Sequence, residues 1–265
     1  MRNILATAVV LGTIMLCVGC GNDGKGGLIE FETVSAEKTV SITSEQGAPQ
    51  CKVQIEIASA VESQGERAEA VNEAVAMRLL DVESASLRTA ADSFANAYTK
   101  SYQRNFAPLY REDSGDPRKR KWYEYHYNVT SEVSNGRFGV TVYRATVDYY
   151  EGGAHGVNQR IVMNFDNETG RLLRLADVFA AGYEQPLSLL LTAKLLEKTD
   201  TKNVDELRQK GILYSMDMFP TENFVLDKDG ITFIYNAYEI APYEQGIIEL
   251  NIDYGECKEI LQESD

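Results

Sequence analysis

The spacing of apolar residues changes repeatedly along this 265-residue chain, and that change of period constrains its fold more than any motif. Val34 to Ile42 and Cys51 to Ile57 alternate. In the second run Val53, Ile55 and Ile57 face one way and Lys52, Gln54 and Glu56 the other, the pattern of a half-buried strand. Ala68, Val71, Val75, Leu79 and Val82 then recur at three and four residues, as do Leu87, Ala91, Phe94, Tyr98, Tyr102, Phe106 and Leu109. Both series predict amphipathic helices with one face toward a core, and the Tyr and Phe stripe of the second reads as core packing. From Trp122 the period returns to two, over 122–133, 138–150 and 157–166. Asn135-Gly136 marks a hairpin turn, because both residue types tolerate positive φ.

Helices are predicted over 183–198, 203–210 and 254–262. Strands are predicted over 224–226, 231–235 and 246–252, the first two joined at Asp227-Lys228-Asp229-Gly230. That turn starts like a calcium loop but has Tyr238 where the twelfth-position Glu belongs, so a hairpin explains it better. Segregated runs of strands and helices predict an α+β fold, with antiparallel sheets and segregated packed helices rather than a doubly wound sheet.

The first twenty residues read as an export signal. Arg2 is followed by an apolar run from Ile4 to Val18, with Gly19 before Cys20. The ending Cys17-Val18-Gly19-Cys20 resembles the bacterial lipobox, although Cys17 stands where Leu is usual. The resemblance implies cleavage after Gly19 and a lipid on Cys20, hence a membrane-tethered lipoprotein of the cell envelope, facing the periplasm or the cell surface. Residues 21–27 are Gly-rich and polar, and 20–29 are expected to form a flexible tether. An oxidising compartment permits a disulfide between Cys51 and Cys257, but two separate buried thiols are the favoured reading.

Lys and Arg total 26 against 40 Asp and Glu, a net charge of −14. That argues against nucleic acid as the partner, since phosphate binding relies on a basic surface. The basic run Arg118 to Lys121 reads as an exposed loop. No HExxH, CxxC, GxSxG or P-loop spacing occurs, and the only histidines are His126 and His155. No catalytic residue, metal-ligand set or cofactor is assigned. His126 is expected on the less buried face of its strand. His155 lies in Tyr149-Tyr150-Glu151-Gly152-Gly153-Ala154-His155-Gly156, where glycines permit unusual backbone angles. It orders this connection by bonding backbone, contacts a ligand, or acts as a base with Glu151. Tyr149, Tyr150, Tyr235, Tyr238 and Tyr243 offer apolar rings with polar tips, suited to glycan or protein recognition, although strands favour Tyr in any case. Pro242 disfavours helix at Ala241, so 236–245 is expected to be an irregular arch. If arch and Gly-rich segment meet, His155, Tyr238, Glu239 and Tyr243 share one surface.

Two stretches carry a family resemblance. One is Tyr150-Glu151-Gly152-Gly153-Ala154-His155-Gly156 with Asn164-Phe165-Asp166, Thr169-Gly170-Arg171-Leu172-Leu173 and Leu175-Ala176-Asp177-Val178-Phe179. The other is Phe233-Ile234 with Asn236 to Gly246. Together they resemble the RsiV-type C-terminal domain, a domain of unknown function in bacterial envelope lipoproteins, Bacteroidetes among them. Residues 30–135 are similar to the domain that precedes it in RsiV and in the deacetylase PdaC. After the signal peptide (1–19) and the tether (20–29), the resemblance implies an N-terminal α+β domain (30–135) and a C-terminal one (136–265). RsiV is an anti-sigma factor whose exported part binds lysozyme. The implied role is therefore a non-catalytic envelope binding domain for a cationic protein such as lysozyme, or for peptidoglycan. A wall-glycan or peptide-processing enzyme using His155 with Glu151 and Glu239, and a structural envelope component, are the alternatives.

Overall fold

A computed structural model describes residues 27–262. The export signal, Cys20 and most of the expected tether lie outside the described residues. The tether ends before position 29: Ile29 is buried in a core, and the Gly27 carbonyl accepts a hydrogen bond from Arg67 at 2.8 Å.

Strands β1 (Phe31–Ser41) and β2 (Gln50–Ala60) form an antiparallel hairpin. Helices α1 (Glu66–Leu80) and α2 (Leu87–Asp113) follow. The Ser86 hydroxyl caps α2 by accepting from the Thr89 amide at 3.4 Å. Then come β3 (Tyr125–Asn135), β4 (Val140–Tyr150), β5 (Val157–Asp166) and the two-residue β6 (Leu172–Leu173). These six strands make one sheet in sequence order. After α3 (Leu175–Val178), α4 (Glu184–Thr199) and α5 (Val204–Gln209), strands β7 (Phe224–Leu226), β8 (Gly230–Tyr235) and β9 (Ile248–Asp253) make a second, antiparallel sheet. The α+β architecture expected from the segregated periods is therefore present.

One pairing departs from the antiparallel expectation. β2 and β3 run parallel, from Cys51 beside Tyr125 to Glu56 beside Thr130. Parallel neighbours need a long crossover, and α1 with α2 supplies it. Three elements also differ from their predicted form. Residues 120–123 make a short 3₁₀ turn, so the strand predicted from Trp122 begins at Tyr125. The helix predicted over 254–262 contracts to a 3₁₀ turn at Lys258–Ile260, because this segment bonds instead to the end of α3, through Ala180 N–H to Ile260 O (2.9 Å) and Gln262 N–H to Val178 O (2.9 Å). At the β3–β4 turn Gly139, not Asn135 or Gly136, takes positive φ (77°). Gly136 is required for another reason: a Cβ there would overlap the Leu226 carbonyl of β7.

Position 135/136, the expected domain boundary, is thus a turn inside the larger sheet. β4 and β5 serve two cores by simple alternation. Tyr143, Ala145, Val147, Met163 and Phe165 enter the core under α1 and α2, while Val140, Val142 and Val162 enter the core of the second sheet and α4.

Three asparagines join the sheets. Asn223 accepts from Val162 N–H (2.8 Å) and donates to the carbonyls of Arg160 (2.9 Å) and Ile234 (3.0 Å). Asn236 accepts from Arg160 N–H (2.7 Å) and donates to Arg160 O (3.0 Å). Asn164 donates to Phe224 O (2.7 Å) and accepts from Leu226 N–H (2.9 Å). All three are buried. The amides of Asn223 and Asn236 satisfy backbone groups of Arg160 and Val162 on β5 that β4 does not reach, and Asn164, itself on β5, bonds the backbone of β7, so this edge is closed without a neighbouring strand along most of its length.

Candidate functional site

The Gly-rich connection between β4 and β5 meets the arch between β8 and β9. Gly152 (φ 83°) and Gly153 (φ 94°) turn the chain, and Gly152 also faces the Trp122 carbonyl, which would lie 2.7 Å from any Cβ. The Tyr150 hydroxyl ties the turn by donating to Gly153 O at 2.9 Å. On the other side Asn236 fastens the start of the arch to β5. Pro242 packs toward Gly211 and opens a short 3₁₀ turn at Tyr243–Gln245.

The two loops bring three side chains together. The rings of His155 and Tyr243 stack with centroids 3.9 Å apart and planes 19° from parallel. Tyr238 lies 6.3 Å from His155 and 5.6 Å from Tyr243. The Tyr238 hydroxyl is 3.1 Å from His155 Nε2, and Tyr243 O–H donates to Gly156 O at 3.3 Å. His155 Nδ1 is 2.9 Å from Gly156 O. A carbonyl only accepts, so Nδ1 carries hydrogen; in the neutral ring Nε2 then accepts from Tyr238 O–H. His155 is exposed and Tyr238 is 61% exposed, so the cluster is an aromatic surface rather than core.

Tyr238 has φ 71°, in the left-handed region that a bulky side chain avoids. Its amide bonds to Ala241 O (3.1 Å) and the Glu239 amide to Asn236 O (3.1 Å), holding the arch in that conformation. Strain of this kind costs on the order of 1–3 kcal/mol. Here it sets an exposed ring beside His155.

The remaining expected residues divide. Glu239 is half-buried; Oε1 accepts from Asn236 at 3.4 Å, and Oε2 is shielded with no partner. Tyr149 turns away and stacks on Tyr127 at 5.5 Å. Glu151 accepts from Tyr98 O–H at 2.6 Å, a contact from α2 absent from the sequence expectation. His126 lies on a half-exposed face, as expected, but pairs with Asp148 at 3.1 Å across β3 and β4; two polar residues on facing strands were the only sign of it. Cys51 and Cys257 are free thiols, one in each core, so the permitted disulfide is not formed. Burial, and then the Glu151 charge, push the Cys51 thiol up to about 12. Among the described residues, no group of three or more His, Cys, Asp or Glu is placed to hold a metal, and no helix is long and apolar enough to cross a membrane.

A mixed α+β chain with two sheets and an exposed His–Tyr–Tyr cluster is the class that these features define. Residues 176–255 match the family described as a protein of unknown function, DUF3298. That stretch contains the arch but not the Gly-rich connection. The chain is similar to the crystal structure of a DUF3298 family member from Bacteroides fragilis, with 29% identity and a TM-score of 0.81 over 91% of this chain and 96% of that one. It shares its fold with a DUF3298 family protein from Pseudomonas aeruginosa (20% identity, TM-score 0.57, 88% and 95% covered). No curated protein matches.

Proposed function

We propose that this chain is a non-catalytic binding domain of the bacterial cell envelope, lipid-anchored through Cys20, with the His155–Tyr238–Tyr243 surface as its ligand contact. The observation that carries the reading is the stacked, exposed cluster held by a strained arch. Rigid aromatic rings with polar tips lose little conformational freedom on binding, which suits them to recognition. Acid–base chemistry is less favoured by the same geometry. The ring nitrogens of His155 are engaged by Tyr238 and Gly156 and Glu151 is held by Tyr98, while Asn236 reaches only Oε1 of Glu239 and Oε2 is shielded. The resemblance to the RsiV-type domain, together with a net charge of −14, makes a cationic protein such as lysozyme the first ligand class and peptidoglycan fragments the second.

The test is binding of the unlipidated chain to hen lysozyme and to peptidoglycan fragments, at low and moderate salt. Tight binding lost in the Tyr238→Ala, Tyr243→Ala double variant is expected. No binding to either, or binding that the double variant retains, refutes the assignment.

A further inference from the structure

The helical Tyr and Phe stripe of α2 does more than fill a core. Together with β3 it borders a groove of about 380 Å³ lined by Tyr98, Tyr102, Phe106, Tyr125 and Glu151, open beside the exposed Asn105. Three of the rings pack closely, Tyr102 to Tyr125 at 5.1 Å and Phe106 to Tyr125 at 5.0 Å. Glu151 stands at this aromatic wall, held by the Tyr98 hydroxyl at 2.6 Å. An aromatic face carries a negative quadrupole. A cation in the same space is attracted by both the rings and the carboxylate. Burial first, and Glu151 among the further causes, push the Tyr125 hydroxyl up to about 12 and raise the Tyr98 hydroxyl as well, so both rings stay neutral and the carboxylate of the groove is that of Glu151.

We propose that this groove is a second binding site, receiving a lysine side chain of a basic polypeptide. Its volume is at the small end for ligand sites and suits one side chain with its ammonium head. The chain's net charge of −14 complements a basic partner and speeds the encounter. The site shares no ring with the His155 cluster and does not depend on the function proposed for that cluster.

The test uses the whole soluble chain and two probes, acetylated tetralysine and the same peptide with its side-chain amines acetylated. Nuclear magnetic resonance amide shifts locate the contact, and titration measures affinity. Glu151→Gln keeps the acceptor for Tyr98 and removes only the charge. Tetralysine is expected to shift Glu151 to Gly153 amides, while the acetylated probe does not. Affinity should fall about tenfold in Glu151→Gln and also in Phe106→Ala, by loss of the cation–π and ionic attraction. Glu37→Gln, the same charge change on exposed β1, and Tyr238→Ala should leave it unchanged. Equal binding of both probes, equal weakening by Glu37→Gln, or shifts elsewhere overturn the proposal.

Discussion

Asn223→Ala is expected to destabilise the fold by about 2–6 kcal/mol. The side chain is 3% exposed and makes three hydrogen bonds, to Val162 N–H, Arg160 O and Ile234 O. Alanine removes all three. Arg160 O keeps Asn236 as a donor, but Val162 N–H and Ile234 O lose their partners. Each buried orphan costs about 1–3 kcal/mol, giving the range above. That is a large share of the roughly 5–15 kcal/mol that holds a domain together. Asn223→Asp sharpens the argument. It preserves an acceptor for Val162 N–H but turns a charged oxygen toward two carbonyls, so it should be at least as damaging at neutral pH and milder in acid, where the protonated carboxyl regains one donor. The assay is urea unfolding followed by circular dichroism, with free energies from linear extrapolation. Asn251→Ala is the control, since its side chain is exposed and bonds only Thr232 at 3.0 Å; its effect should stay within about 0.5 kcal/mol. A loss below about 1 kcal/mol for Asn223→Ala would show that these amides do not hold the sheets together.

Three further outcomes follow from the geometry. Tyr238→Gly should leave stability unchanged or raise it by about 1 kcal/mol, by relieving the φ of 71°, while abolishing the binding proposed for the His155 cluster; unfolding and binding measured on one preparation separate the two effects. Cys51 and Cys257 should resist a thiol reagent in the native state and react on unfolding, because both are buried and burial raises both thiols; rapid native labelling would contradict this placement. Stability should fall above pH 10. Burial raises Tyr127 and Tyr125 to about 12 in the fold, so their stabilising contribution is present below the unfolded value of about 10 and is lost as pH rises through about 12. Tyrosinate absorbance titrating in a single step near pH 10, with no accompanying loss of structure, would refute it.

Much of the fold was legible in the order of residues. Val53, Ile55 and Ile57 alternate as a strand must, and Leu87 to Leu109 recur as a helix must, because each pattern reflects which side of one local element faces water. Asp227 to Gly230 forms the predicted hairpin, with Asp227 N–H bonded to Gly230 O at 3.0 Å. The glycines of 152–156 and Pro242 likewise marked the two irregular loops. Period and turn chemistry act over a few residues and are written in neighbouring side chains. What they leave open is which elements become neighbours. The parallel pairing of β2 with β3, the clamp of Asn223 on β5 and the bond from Tyr98 to Glu151 join residues 53 to 74 positions apart. His155 and Tyr238 are 83 apart, and their meeting was legible only as a condition on two loops approaching. Each of these contacts depends on how whole layers pack, and buried amides and aromatic rings acquire their roles only once that packing has set their partners and excluded water.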